Sequence, residues 1–257
     1  MYQNLHHNPL HISDAGRGEE PRVFAHRGAS AHAPGNSLRA LMLACRSGAR
    51  WIEVDVRRIG QQLYLLHDGW LETPAGLRQT HTMSPAELAR AMPDGQCPLT
   101  LEQALSLLQG RAALNIEIKD EGSAALVVDT LDRYVTVHGW HYHDLLVSSF
   151  HQPELAQVRW LQPALPLGVL VAGVPLQLAL GAAALGAESL HVSADVVTRP
   201  LVADAHSRGI SVYAYTVNSP ERWSALHDLG VDGLFTDYPE RFSQLLAVEQ
   251  SSTERAA

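Results

Sequence analysis

Two cysteines, Cys45 and Cys97, are all that the 257 residues carry. Two thiols make one bond at most, so a disulfide-stapled scaffold is excluded, and both read as ordinary thiols of a reducing compartment. Long apolar runs are also missing. No stretch reaches the roughly 18 apolar residues that a membrane span needs, and the polar N-terminal stretch has no run of signal length. His6, His7 and His11 in that stretch match no metal-ligand spacing and read as part of a solvated tail. Positive charge is scarce. Nineteen Lys and Arg stand against 27 Asp and Glu, for a net charge of −8. That excludes a broad basic surface, and with it nucleic acid as a partner. An anionic substrate stays compatible, because a bound divalent cation reverses the local potential. The expectation is a cytoplasmic protein without stable membrane insertion.

What is present is a large apolar fraction, 46%, with 18% charged residues. Such a chain buries a sizeable core. One domain is expected over 22–248, between polar tails at 1–21 and 249–257. Short apolar runs, taken as strands, are Val23–Ala25, Trp51–Arg57, Leu63–Leu66, Ala113–Ile118, Leu145–Ser148, Leu167–Leu170, Ser189–Val192, Ser211–Val217 and Gly233–Thr236. Amphipathic helical stretches lie between them: about 37–47, 101–108, 124–137, 153–160, 175–185, 199–208 and 220–229. Several end at a glycine, a common C-cap. Repeated alternation of strand and helix predicts a parallel sheet with helical crossovers, and this length suits a single (β/α)8 barrel. Leu63–Leu66 is one strand too many. It follows Trp51–Arg57 too closely for a parallel crossover, which needs about a dozen residues, so the two form an antiparallel hairpin turning near Gly60.

The chemistry concentrates at the ends of these strands. In Trp51-Ile52-Glu53-Val54-Asp55-Val56, alternation puts Glu53 and Asp55 on one face, about 7 Å apart along the strand. Two carboxylates on an otherwise apolar strand repel each other unless a hard cation, Mg²⁺, Ca²⁺ or Mn²⁺, lies between them. Folding the hairpin brings His67 opposite Val54 and Asp68 opposite Glu53, a residue either way. An imidazole thus returns beside the carboxylates. In Leu114-Asn115-Ile116-Glu117-Ile118-Lys119, Glu117 and Lys119 share a face with Asn115. They suit a third metal ligand and a phosphate clamp, or equally an internal ion pair. In Val23-Phe24-Ala25-His26-Arg27-Gly28, a strand runs into a candidate acid or base and a guanidinium able to hold two phosphate oxygens.

The ordered set resembles one family. His26-Arg27-Gly28 with Ala33-Pro34-Gly35-Asn36-Ser37 is similar to the HRG…PENT signature of glycerophosphodiester phosphodiesterases of the cytoplasmic bacterial type. Glu53-Val54-Asp55, His67-Asp68 and Glu117-Ile118-Lys119 follow in the family's order. Ser148-Ser149-Phe150, Thr216-Val217-Asn218 and 231–239 extend the likeness, which spans about 22–246. The resemblance implies a distorted (β/α)8 TIM barrel with a small inserted β-hairpin. It implies one divalent cation, Mg²⁺ foremost with Ca²⁺ or Mn²⁺ as alternatives, on Glu53, Asp55 and Glu117. His26 and His67 would be the general acid and base, with Arg27 and Lys119 near the phosphate and Tyr215 lining the substrate. The substrate would be a small glycerophosphodiester and the product sn-glycerol 3-phosphate. Three positions depart from the pattern: Gly35 replaces a glutamate, Ser37 a threonine, and Tyr215 a tryptophan. The Gly35 change removes a carboxylate near the site.

Rival readings keep part of this frame. A lysophospholipase D-type enzyme would need an exposed apolar rim, for which the apolar run from Leu165 to Leu185 is the source. An impaired phosphodiester-binding protein is motivated by Gly35, against which both histidines and all three carboxylates weigh. A metal-dependent sugar enzyme would have no use for the Arg27 and Lys119 pair. The outer helix faces do not call for a dimer.

Overall fold

The computed structural model describes residues 21–92, 95 and 97–242. Apart from Pro21, the expected N-terminal tail with its histidines lies outside the described residues, as do 243–257. In chain order the elements are β1 (Arg22–Ala25), α1 (Leu38–Arg46), β2 (Trp51–Ile59), β3 (Gln62–Leu65), β4 (Trp70–Thr73), β5 (Gly76–Gln79), α2 (Pro85–Ala91), α3 (Leu101–Leu108), β6 (Ala113–Ile118), α4 (Ala124–His138), β7 (Leu145–Ser149), α5 (Gln152–Leu161), β8 (Leu167–Val171), α6 (Leu180–Ala184), β9 (Ser189–Ser193), α7 (Arg199–Ser207), β10 (Ser211–Tyr215), α8 (Pro220–His227) and β11 (Gly233–Thr236).

Among the described residues, eight parallel strands run in the order β1-β11-β10-β9-β8-β7-β6-β2, and β1 pairs with β2 to close the barrel. β3 adds to β2 in antiparallel sense. Side-chain alternation divides each strand between two environments. Ile52 and Val54 of β2, Leu114 and Ile116 of β6, and Leu190 of β9 face outward into the core shared with the helices. The inward positions form a second, smaller cluster of Phe24, Trp51, Ala113, Leu146, Tyr213 and Phe235. Phe24 stacks on Phe235 at 4.5 Å, and Arg22 lies over the Trp51 ring at 4.7 Å. The lower half of the barrel is therefore an aromatic plug. The next inward positions up the strands, Glu53, Asp55, Asn115 and Glu117, sit on that dry floor.

Several helices start on side-chain caps. Ser37, Thr100, Thr198 and Ser219 each accept a backbone N–H of the first turn. Such a cap is worth about 1 kcal/mol. α4 has no such cap of its own. The buried Glu154 of α5 instead accepts the N–H groups of Gly122, Ser123 and Ala124 at 2.7–3.0 Å.

Several expectations change. The hairpin register is as the spacing requires, Val56 opposite Leu65, with Leu66 N–H donating to Asp55 O at 3.0 Å. Pairing stops there, so His67 and Asp68 leave the ladder and do not lie opposite Val54 and Glu53. A second hairpin, β4–β5, and helix α2 were not foreseen. The two strands are short and largely exposed, which leaves little apolar alternation to read. α2 does carry a local signal, a capping box between Ser84 and Glu87. The helix expected over 175–185 begins only at Leu180, because Leu178 adopts a left-handed φ of 50°. β10 ends at Tyr215 and not Val217. No helix among the described residues is long and apolar enough to cross a membrane. Cys45 and Cys97 are both free thiols.

His191 occupies the aromatic plug with no exposed surface, its ring 4.9 Å from Phe235 and 5.5 Å from Tyr213. Gly168 leaves it room, since a Cβ there would come within 2.5 Å of the imidazole. Burial, with Arg22 nearby, pushes the His191 pKa down to about 3. The unfolded chain takes up this proton near 6.5, the folded chain only near 3. Stability is thus full above the unfolded value and falls as the pH drops toward 3, by up to about 1.4 kcal/mol per pH unit. The urea midpoint, followed from about pH 7 to pH 5, should fall less steeply in His191→Leu than in wild type. Equal slopes would mean that the folded barrel tolerates the charged imidazole.

Candidate active site

The inward face of β2 presents Glu53 and Asp55, and that of β6 presents Glu117. The parallel register sets Asp55 directly beside Glu117. Oxygens from the three carboxylates lie within 4.8 Å of one another. All three residues are buried, Asp55 completely. Glu53 Oε2 accepts the Arg27 backbone N–H at 2.8 Å, whereas Glu53 Oε1 is buried without a hydrogen bond. Asp55 is held by Asn36 twice, Asn36 Nδ2 donating to Asp55 Oδ2 at 2.9 Å and Asp55 N–H donating to Asn36 Oδ1 at 3.1 Å. Both Arg27 and Asn36 need a left-handed backbone for this, with φ of 55° and 62°. Gly28, φ 80°, completes the turn where a Cβ would strike the backbone of Ala40 at 2.6 Å.

The charges are unbalanced. Lys119 Nζ lies 2.6 Å from Glu117 Oε1 and 3.4 Å from Asp55 Oδ1. Arg27 Nε approaches Asp55 Oδ2 at 3.0 Å, without the geometry of a hydrogen bond. Burial raises the Glu53 pKa well above the usual carboxylate range, helped by Asp55 and Glu117. Burial also raises that of Glu117, against the pull of Lys119. At Asp55 burial is outweighed by Lys119, Arg27 and Asn36, and its pKa is lowered. Two part-buried cations for three buried carboxylates, with buried oxygens that accept no hydrogen bond, is the electrostatic need that a divalent ion meets. An all-oxygen donor set suits Mg²⁺, Ca²⁺ or Mn²⁺. The residues present therefore fit such an ion. A second group, His141, His143 and Asp144, lies before the start of β7, at the other end of the barrel, with both histidines exposed.

Two imidazoles flank the carboxylates. His26 follows β1, and its Nδ1 lies 2.7 Å from Asp237 Oδ1. His67 follows β3, and its Nδ1 lies 2.7 Å from Asp68 Oδ1. In both, a carboxylate on Nδ1 favours the tautomer that leaves Nε2 available. The Asp237 dyad is the better built. Burial raises the Asp237 pKa, but hydrogen bonds from His26, Ser30 and Asn218 outweigh it and hold the pKa well below the usual range. His67 is fixed through its backbone, because Arg57 Nε donates to His67 O at 2.9 Å while Arg57 also pairs with Asp120.

Comparison with known proteins fits this geometry. The profile of the Glycerophosphoryl diester phosphodiesterase family matches residues 26–241. The chain belongs to that family. It is thus a phosphoric diester hydrolase on a TIM barrel. It is 30% identical to a glycerophosphodiester phosphodiesterase of Bacillus altitudinis, over 86% of this chain and 96% of the relative. It superposes with a TM-score of 0.77 and 29% identity on an Oleispira antarctica phosphodiesterase in complex with the product sn-glycerol-3-phosphate, covering 88% of this chain and 96% of that one. A glycerophosphodiester phosphodiesterase from Thermotoga maritima gives a TM-score of 0.70 at 25% identity, over 88% and 99% of the two chains.

The departures from the family pattern have local causes here. A Cβ at position 35 would sit 3.0 Å from Arg27 Cβ and 3.1 Å from Arg27 Cδ. A larger residue in place of Gly35 would press on the Arg27 stem and ask it to give by a few tenths of an ångström. Tyr215 Oη donates to Val171 O at 2.9 Å, tying the ends of β10 and β8 together. Its ring meets Phe150 edge-on at 6.1 Å, and burial, with Glu117, pushes its pKa up to about 12. The structure thus brings together all eight expected site residues: His26, Arg27, Glu53, Asp55, His67, Glu117, Lys119 and Tyr215. Sequence reasoning gave no role to Asn36, Asn218 and Asp237, although each stands in a motif segment. Ser30, Arg57 and Asp120 carried no signal.

Asn36 is the residue whose loss should loosen Asp55 without touching a carboxylate. Groups that orient a ligand typically contribute about 10–100-fold in metal affinity. Asn36→Ala should weaken Mn²⁺ binding by that factor in a calorimetric titration. Unchanged affinity would show that Asp55 needs no such support.

Proposed function

We propose that this phosphodiesterase hydrolyses small glycerophosphodiesters to sn-glycerol 3-phosphate and an alcohol, with one divalent cation and the His26–His67 pair. The observation that carries the reading is the buried Glu53–Asp55–Glu117 cluster with its orphaned oxygens, set between two imidazoles each backed by a carboxylate. A cation held by these three residues would supply Lewis-acid stabilisation of charge on the phosphoryl group. The chain's own groups do the rest. Arg27 and Lys119, now turned on the carboxylates, hold phosphate oxygens when the diester enters. One imidazole takes the proton of the attacking water or glycerol hydroxyl at Nε2. The other gives a proton to the alcohol oxygen as its bond to phosphorus breaks. Phe150 and Tyr215 form an apolar wall beside Lys119, whose Nζ lies 5.9 Å from the Phe150 ring. The two free thiols suit a reducing cytoplasm.

The test is release of sn-glycerol 3-phosphate from glycerophosphocholine with Mg²⁺, Mn²⁺ or Ca²⁺ and with EDTA. Release should need the metal. His26→Ala and His67→Ala should each lower kcat by about 10²–10⁴-fold, and Glu53→Gln should raise the metal requirement steeply. Metal-independent release, or an active histidine variant, would sink the mechanism.

A second reading keeps the chemistry but takes a lysophospholipid. The loop after β8 supports it: Leu176 is 99% exposed, with Val174 and Leu180 also exposed, and Phe150 exposed after the neighbouring strand. Lysophosphatidylcholine should then release choline at a rate that falls when Leu176 is replaced by aspartate. Glycerophosphocholine turnover would not fall with it. No choline release from the lysolipid would confine the enzyme to water-soluble diesters.

A further inference from the structure

A cleft of about 650 Å³ opens among the loops after β9, β10 and β11, beside the carboxylate layer. Its size is that of a small-molecule site, about 300–1,000 Å³. Tyr215 and Asn218 line it, and both also belong to the catalytic layer. Tyr215 is close enough to Glu117 for that charge to raise its pKa. Asn218 Nδ2 donates to Asp237 Oδ2 at 2.7 Å, and Asp237 Oδ1 lies 2.7 Å from His26 Nδ1. The wall of the cleft is thus two hydrogen bonds from the His26 imidazole. A diester whose phosphate lies at the carboxylates can place one arm in this cleft.

The charge of the cleft says which arm. Arg222 and Arg241 line it, with Asp195 as the acidic lining residue. Asp195 is taken by Arg222, at 3.0 Å. Arg241 has no carboxylate within ion-pair distance among the described residues. Its Nη1 donates to Asn218 O at 3.0 Å, and its guanidinium lies 3.6 Å above the Tyr238 ring. A guanidinium has five N–H donors, so most remain for a ligand. The stacking fixes the fork, and a fixed planar fork matches a carboxylate or phosphate. The same contact covers the Tyr238 face that a quaternary ammonium would seek. In a chain of net charge −8, this is a local positive site beside the reacting layer.

We infer that this cleft is the subsite for the alcohol arm, and that Arg241 and Arg222 select alcohols bearing a carboxylate or a phosphate. The inference rests on the reading that the diester is cleaved at the carboxylate–histidine layer.

Glycerophosphoserine and glycerophosphoethanolamine differ by one carboxylate and form the matched pair for the test. The serine diester should show a kcat/KM about five- to tenfold higher, as expected for a partly exposed charged hydrogen bond. The ratio should shrink at high salt, because the cleft is open to solvent. Arg241→Gln should collapse the ratio toward one, and Arg222→Gln should reduce it. Arg241→Lys, which keeps the charge, should retain part of it, separating ligand binding from support of the Asn218 loop. Equal kcat/KM values in wild type, or a ratio untouched by Arg241→Gln, would overturn the subsite. If neither diester turns over, the functional reading fails. Calorimetric titration of the same pair into His67→Ala then decides the subsite separately. Tighter binding of the serine diester, lost on adding Arg241→Gln, supports it, and equal affinities overturn it.

Discussion

Three carboxylates share the inner face of a barrel whose floor is aromatic, and most of the site follows from their repulsion. Glu53, Asp55 and Glu117 are placed together by the parallel register of β2 and β6, which no side chain can escape. Burial raises the cost of each charge, and mutual repulsion adds to it. The protein answers from every side. Arg27 and Lys119 bring positive charge, Asn36 brings a donor and an acceptor, and the Arg27 amide donates to Glu53. Glu53 Oε1 and Asp55 Oδ1 still accept no hydrogen bond. That residue of unmet demand is what makes the site ready for a hard cation.

The same constraint explains the loop after β1. Arg27 and Asn36 adopt left-handed backbone conformations, which non-glycine residues rarely hold without compensation. The compensation is the pair of contacts that they make to Glu53 and Asp55. Gly28 and Gly35 supply the space, one against the α1 backbone and one against the Arg27 stem. Gly35, where the family pattern has a carboxylate, packs its backbone closely against the Arg27 stem.

The two histidines show unequal investment. His26 is held by a part-buried Asp237 that also receives hydrogen bonds from Ser30 and Asn218. His67 has only the exposed Asp68 on its ring, and is steadied through its backbone by Arg57. The better-built network continues into the cleft lined by Asn218 and Arg241. One side of the site is polar and hydrogen-bonded, while the other, after β8, carries exposed apolar side chains.

Local sequence determined a good deal. Alternation in Trp51–Val56 and Leu114–Lys119 put the carboxylates and Lys119 on single faces. The short gap between two strands required the hairpin, and its register followed from the turn. All nine strands of the main sheet were legible, because each is an apolar run bounded by turn residues. These features depend on neighbours a few positions apart, which a sequence displays. β4, β5 and the late start of α6 were not legible, since exposure and a single left-handed residue leave no periodic trace. Tertiary structure alone decided the pairings across long separations: His26 with Asp237, Arg57 with Asp120, Asn218 with Asp237. It also decided that Asn36 faces Asp55 and that the ladder ends at the bond from Leu66 N–H to Asp55 O, just before His67. Closure of the barrel sets those distances, and closure is a property of all eight strands at once.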